Sequence, residues 1–271
     1  MVVRPLEASN PQAGFEIFMV RRHSKSRFLP DRFVFPGGRL EEQDSRPAAL
    51  ARLYRFDRAS KTSLFRDLPG EGAHYAAIPL TPEQEAGMYV AAFRELFEEA
   101  GLLLAVEEAS GQPPNWQAEQ ALVDRLTAFR RESQSNHLDF IAMLEQEKLL
   151  LDFEQLTYFS HWITPGGEPY RFDARFFLAQ APLDQLAESD NFETHDGLWI
   201  SPQLALERMA ANEFSLIYPT IMHLEWLSRY RSIAELLQAA RAKTVVAAMP
   251  NMFQGEAGPI FELPADVIER W

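Results

Sequence analysis

Thr81-Pro82-Glu83-Gln84-Glu85-Ala86-Gly87-Met88-Tyr89-Val90-Ala91-Ala92-Phe93-Arg94-Glu95-Leu96-Phe97-Glu98-Glu99-Ala100-Gly101 reads as one helix with both ends marked. Thr81 is a good N-cap, because its hydroxyl can accept from an orphan amide of the first turn, and Pro82 suits the next position, where no donor is needed. Gly101 suits the residue just past the end, where chains commonly turn left-handed. At about 100° per residue, Ala86, Tyr89, Val90, Phe93, Leu96, Phe97 and Ala100 gather on one side. Glu95, Glu98 and Glu99 lie opposite, within an arc of about 100°. Arg94 precedes Glu98 by one turn, within reach of an ion pair.

Such a wheel also describes an ordinary amphipathic helix with a solvated acidic face. Two costs count against that reading: carboxylates at i and i+4 repel, and acids near a helix C-terminus oppose the macrodipole. A bound cation relieves both. Hard Mg²⁺ or Mn²⁺ takes oxygen ligands and keeps several waters, so a few carboxylates and substrate phosphates complete its shell.

Upstream, residues 15–22 and 32–35 are β-prone, and the second run stops at Pro36-Gly37-Gly38. Residues 45–80 show no clear period and read as an insertion with a short helix around 48–54. Downstream, 116–131 and 137–150 carry helical spacing, with Ser133-Gln134-Ser135-Asn136 as the turn between them and both helices as decoration. Residues 157–163 and 171–179 read as strands joined through Pro165-Gly166-Gly167, and 198–200 as a short strand. Ser201-Pro202 opens another helix, one long helix is expected over 218–242, and the tail is extended, with 261–263 pairing at a sheet edge. The whole chain, 1–271, is expected to form one α/β domain with insertions at about 45–80 and 116–151.

With 39 acidic against 26 basic residues and a formal charge of −13, the chain does not suit generic binding to a nucleic-acid backbone. The absence of cysteine removes thiol nucleophiles, disulfides and thiolate zinc sites. The six histidines show no HExxH spacing, which disfavours a zinc hydrolase. Trp162 and Trp199 fall in expected strands and read as packing residues. No apolar run approaches the roughly 18 residues of a membrane span, and no leader is visible, so a cytoplasmic chain without membrane partners is the expectation. Residues 21–39 oppose the global charge: Arg21, Arg22, Lys25, Arg27, Arg32 and Arg39 stand against Asp31 alone. That patch would suit a polyanionic substrate, with Arg21 and Arg39 as its contacts, or it is an ordinary charged loop.

Arg94-Glu95-Leu96-Phe97-Glu98-Glu99-Ala100-Gly101-Leu102 resembles the REUxEExGU half of the Nudix box, where U is aliphatic. Gly38 resembles the start of the other half, in which a glutamate follows after five intervening residues. Here that place holds Asp44, and about 40 further residues separate the halves. The split box, together with RRHSKSRFLPDRFVFPGGRLEEQD (21–44), AAFRELFEEAGLLL (91–104), FSHWITPGGEPYRFDARFFLA (159–179) and LWISPQLAL (198–206), is similar to the Nudix branch that includes the peroxisomal coenzyme A diphosphatase.

This resemblance implies an α/β/α Nudix sandwich with a mixed sheet and additional helices, and metal-dependent hydrolysis of a nucleoside diphosphate derivative. It implies Glu95, Glu98 and Glu99 as ligands of Mg²⁺ or Mn²⁺, the carbonyl near Gly38 as a further ligand, and Arg94 as their orienting partner. The water-activating base is a box glutamate or an acid of the late loop 188–196, where Glu193 is the choice. Coenzyme A or an acyl-CoA is the expected substrate, giving 3′,5′-ADP and phosphopantetheine. ADP-ribose or NADH hydrolysis, and a ligand sensor that has lost catalysis, stay open as alternatives, as does a homodimer.

Overall fold

The computed structural model describes residues 1–6, 14–26, 30–57, 59, 63–65, 67–69, 78–136, 139–166, 170–190, 194–255 and 258–271, with residues 134–136 and 195 described by their backbone only. Alternation along strand Phe15–Arg22 sends Phe18 and Val20 into one apolar cluster and Ile17 and Met19 into another. A strand buried on both faces needs a layer on each side, and that requirement sets the architecture.

The strand lies in a mixed eight-stranded sheet. Its order is Thr194–Ile200, Phe15–Arg22, Val2–Pro5, Asp173–Gln180, Thr157–Ile163, Val246–Ala248 and Leu68–Pro69, with Phe33–Val34 also paired to Phe15–Arg22. On one face pack helices Pro82–Ala100, Gln120–Asn136 and Phe140–Gln146. On the other pack Pro202–Ala210, Tyr218–Leu227 and Ile233–Ala242. The result is the expected α/β/α sandwich.

Helix Pro82–Ala100 ends as expected. The Thr81 hydroxyl accepts from the Gln84 amide, the Gln84 side chain accepts from the Thr81 amide, and Gly101 turns left-handed at φ 72°. The helical insertion differs from expectation. Its first helix runs through Asn136, so the polar 133–136 segment is helical, and Leu149–Asp152 is a strand paired with Ala105–Glu107 and Leu53–Tyr54. Nor is it decoration. Leu122, Leu126, Phe140 and Leu144 are buried in the same cluster as Phe93 and Phe97, and the Phe97 and Phe140 rings lie 5.9 Å apart.

The expected long helix 218–242 breaks at Ser228–Arg231. Ser232 starts a new helix by accepting from the Glu235 amide, while the Glu235 carboxylate accepts from the Arg231 amide. Ser232-x-x-Glu235 is a capping signature, and it overrides an apolar spacing that runs through both helices. Residues 258–262 do form a strand, but it pairs with Asn251–Gly255 in a separate hairpin instead of at the edge of the main sheet.

The 45–80 segment is moored at several described points. It contributes helix Pro47–Ala51 and strand Leu68–Pro69, and Glu85 accepts from the Ser63 hydroxyl and the Leu64 amide. Asp67 accepts from Tyr158 Oη at 2.7 Å and contacts His161 Nδ1 at 2.7 Å. His161 Nε2 lies 2.7 Å from Asp173, which also accepts from Arg175 and from the Ile78 amide.

Burial lowers the His161 pKa and Arg175 opposes its charge, but Asp173 and Asp67 outweigh both and hold it above the ordinary value of 6.5. A raised folded-state pKa contributes stability that is complete below the unfolded value and is lost as pH rises through the folded one. His161→Gln is therefore expected to cost about 3 kcal/mol in mildly acidic buffer, the scale of a broken buried pair. The gap to wild type should narrow as pH rises. Thermal unfolding of both proteins from about pH 6 to about pH 9 tests this; a gap independent of pH would remove the imidazolium from the mooring.

Candidate active site

The turn that follows strand Phe33–Val34 meets the C-terminal half of the carboxylate helix. The Gly37 amide donates to Glu99 Oε2 at 2.8 Å, and the Arg39 amide donates to Glu95 Oε1 at 3.3 Å. Gly38 lies against the Glu95 carboxylate so closely that a Cβ there would fall 2.3 Å from Oε1. That approach accounts for glycine at 38 in physical terms: any side chain would displace Glu95.

Arg94 organises the rest. It is 3% exposed, and its guanidinium donates to both oxygens of Asp44 at 3.0 Å, to Glu95 Oε1 at 2.8 Å, to Glu98 Oε2 at 3.1 Å and to the Arg39 carbonyl at 2.9 Å. Asp44 is fully buried and also accepts from the Glu41 amide at 2.8 Å. The aspartate that departs from the box pattern is thus the anchor of Arg94. With its shorter side chain it reaches a bidentate pair from the 3₁₀ turn Glu42–Ser45.

The electrostatics follow from this crowding. Burial pushes the Glu98 carboxyl up to about 7 against the pull of Arg94, with Glu95 and Glu41 adding repulsion. Burial also raises Glu95 despite Arg94 and the Arg39 amide. Burial works against the Arg94 cation, but its hydrogen bonds to Asp44 and the surrounding acids more than compensate and hold it above the usual arginine value. As placed, these carboxylates turn toward Arg94 and the backbone amides. Among the described residues no three His, Asp or Glu side chains already converge on one point as a cation cage.

Arg130, from the helical insertion, closes the far end. Its Nε donates to the Glu98 carbonyl at 2.9 Å and its Nη2 to the Glu188 carbonyl at 2.6 Å. Nothing local to residue 130 marks it: it is one more arginine on an apolar-spaced helix, 32 positions from one partner and 58 from the other.

The structure therefore brings Glu95, Glu98, Glu99, Arg94 and the Gly38 turn together. Arg39 is exposed beside them, its backbone bonded to Glu95 and Arg94. Arg21 is engaged with Asp31 at 3.1 Å and with Asp196 at 3.5 Å. Glu193 lies outside the described residues. Trp162 is buried, and Trp199 packs on Phe18 and under Arg4, as packing residues would. A cleft of about 720 Å³ between Pro5, Gln180 and helix Ile233–Ala242 includes none of the box residues in its lining.

The profile of the NUDT19 Nudix domain matches residues 2–227. The acyl-coenzyme A diphosphatase NUDT19 of Xenopus laevis is 28% identical, over 95% of this chain and 72% of that protein. Its namesake from Gallus gallus is 31% identical, over 82% of this chain and 63% of that one, and the Homo sapiens protein is 28% identical, over 83% and 64%. The chain thus spans slightly under two thirds of the chicken and human relatives. The crystal structure of a NUDIX hydrolase from Alicyclobacillus acidocaldarius superposes with a TM-score of 0.60 at 23% identity, over 88% of this chain and 93% of that one, and shares its fold. A match that runs through both halves of the split box and most of the sheet makes the chain a member of the Nudix hydrolases, within the NUDT19 Nudix domain family.

Proposed function

We propose that the chain is a Mg²⁺- or Mn²⁺-dependent diphosphatase of coenzyme A or its acyl thioesters, releasing 3′,5′-ADP and the phosphopantetheine half. The observation that carries this reading is the Arg94 hub, which holds Glu95 and Glu98 on one helical face against the glycine turn. The names of the relatives, acyl-coenzyme A diphosphatases, support the substrate class.

The donor set suits a hard cation. Glu95, Glu98 and Glu99 are oxygen donors about one turn apart, the Gly38 turn whose carbonyl would join them packs against Glu95, and burial raises Glu95 and Glu98 even beside Arg94. When bound, such an ion neutralises charge on the diphosphate and acidifies a water. Arg94 holds one oxygen of Glu95 and one of Glu98, and each carboxylate has a second oxygen that would serve the cation. The Gly37 amide holds Glu99, and Arg39 meets the phosphates from the turn. Arg21 would join the substrate by exchanging one of its two carboxylate partners. Acceptance of the water proton falls to Glu98, Glu99 or Glu193.

The test is to incubate the purified protein with Mg²⁺ or Mn²⁺ and CoA, acyl-CoA, ADP-ribose, NADH or nucleoside triphosphates, and to identify products by mass. Formation of 3′,5′-ADP from CoA or acyl-CoA supports the reading. Cleavage of ADP-ribose or NADH alone would change the substrate, and tight binding of one ligand without turnover would make the chain a sensor.

A further inference from the structure

The helical insertion supplies a side chain, Arg130, that ties the end of the carboxylate helix to the late loop. Arg130 places its guanidinium where the terminal turn leaves a carbonyl unpaired, and takes the Glu98 carbonyl at 2.9 Å. The same group takes the Glu188 carbonyl at 2.6 Å, while the Glu188 amide donates to the Ala100 carbonyl at 3.0 Å. Gln185, three residues earlier, clasps Leu103 through both its amide and its carbonyl, at 2.8 and 2.9 Å.

Gly101 leaves the room. A Cβ there would sit 2.8 Å from Arg130 Nη1, so glycine serves both the left-handed turn and the seating of the guanidinium. Burial holds the Arg130 pKa below the usual arginine value, while Asp190, Glu188 and Glu99 pull the other way. A cation at a helix C-terminus also offsets the macrodipole that Glu98 and Glu99 oppose.

From this joint we infer that Arg130 is a positioning residue for the Glu98–Glu99 turn, and that the 116–151 insertion serves the reaction through it. The inference rests on the diphosphatase reading, and it acts through backbone: both Arg130 contacts are to carbonyls, one of them on Glu98 itself. Loss of the joint loosens the turn that must present two carboxylates together. Displacements of this kind act on the reacting geometry more than on substrate affinity.

The experiment compares Arg130→Leu, Arg130→Lys and Arg125→Leu in the full chain. Arg125 lies on the same helix and pairs with Glu147 across the insertion, so its loss loosens the insertion without touching the joint. Amide exchange at Glu188 and Gly101 and steady-state kinetics on the best diphosphate are both measured. Arg130→Leu should speed exchange at Glu188 by at least about 10-fold and lower kcat by about 10- to 100-fold, with KM within about 3-fold. Arg130→Lys should recover part of kcat, and Arg125→Leu should retain wild-type kcat.

Faster exchange with unchanged kcat would reduce Arg130 to a structural clasp and overturn the inference. Unchanged exchange would overturn it as well, by removing the joint. In either case an active wild type leaves the diphosphatase reading standing. A wild type that cleaves no diphosphate overturns that reading and this inference together, whatever the exchange shows.

Discussion

Glu98→Gln is expected to lower kcat on the best diphosphate substrate by at least about 100-fold, since even groups that only support a metal ligand cost about 10- to 100-fold when removed. The fold should not suffer. Glu98 is held by burial at a pKa of about 7, with Glu95 and Glu41 adding repulsion, so its charged form is disfavoured when no cation is bound. Glutamine copies the shape of the neutral acid, and its carbonyl oxygen can still accept from Arg94, 3.1 Å away in the parent. Thermal unfolding in the presence of a chelator should place the variant at or above wild type. This pairing of lost turnover with retained stability separates a ligand from a structural residue. Full activity in Glu98→Gln would end its assignment to the metal.

Asp44→Ala should act in the opposite sense, on stability first. Asp44 is fully buried and Arg94 is 3% exposed, so truncation leaves a buried guanidinium without the carboxylate that both Nε and Nη2 address. Breaking a buried pair from one side costs about 3–5 kcal/mol, a large share of a typical folding stability of about 5–15 kcal/mol. The Glu41 amide also loses its acceptor. Turnover should fall along with stability, because Arg94 is the common partner of Glu95 and Glu98. Denaturant midpoints and kcat measured on the same preparation test both parts. A midpoint equal to wild type would mean that Arg94 is held by its remaining partners alone.

What could be read from the chain and what could not divides along sequence separation. Thr81-Pro82 and Gly101 mark their helix because capping is settled within one turn, and the wheel that gathers Glu95, Glu98 and Glu99 needs only the helical period. Leu149–Asp152 misled for a related reason. A short apolar run suits a helix or a strand equally, and its pairing with Ala105–Glu107 decides between them. Ser232 was legible in principle: its capping pattern with Glu235 stands in the chain, masked by apolar spacing on both sides. Asp44 was legible as the box position that departs from glutamate, but its role as the anchor of Arg94 was not, since that partner is 50 positions away. Arg130 was not legible at all, with partners 32 and 58 positions away and no local pattern to mark it.

The pairing of Asp44 with Arg94 across 50 positions also bears on how the protein comes to be folded. Without the roughly 40 intervening residues the same contact would close a loop of about 10, and the added closure entropy is only about 1.4 kcal/mol. Thermodynamically the interruption is mild. Kinetically it matters more, because contacts of high sequence separation form slowly, after the local helix that carries the glutamates. The carboxylate helix can therefore exist for a time without its anchor, and competence arrives only when the intervening segment has found its place on the sheet.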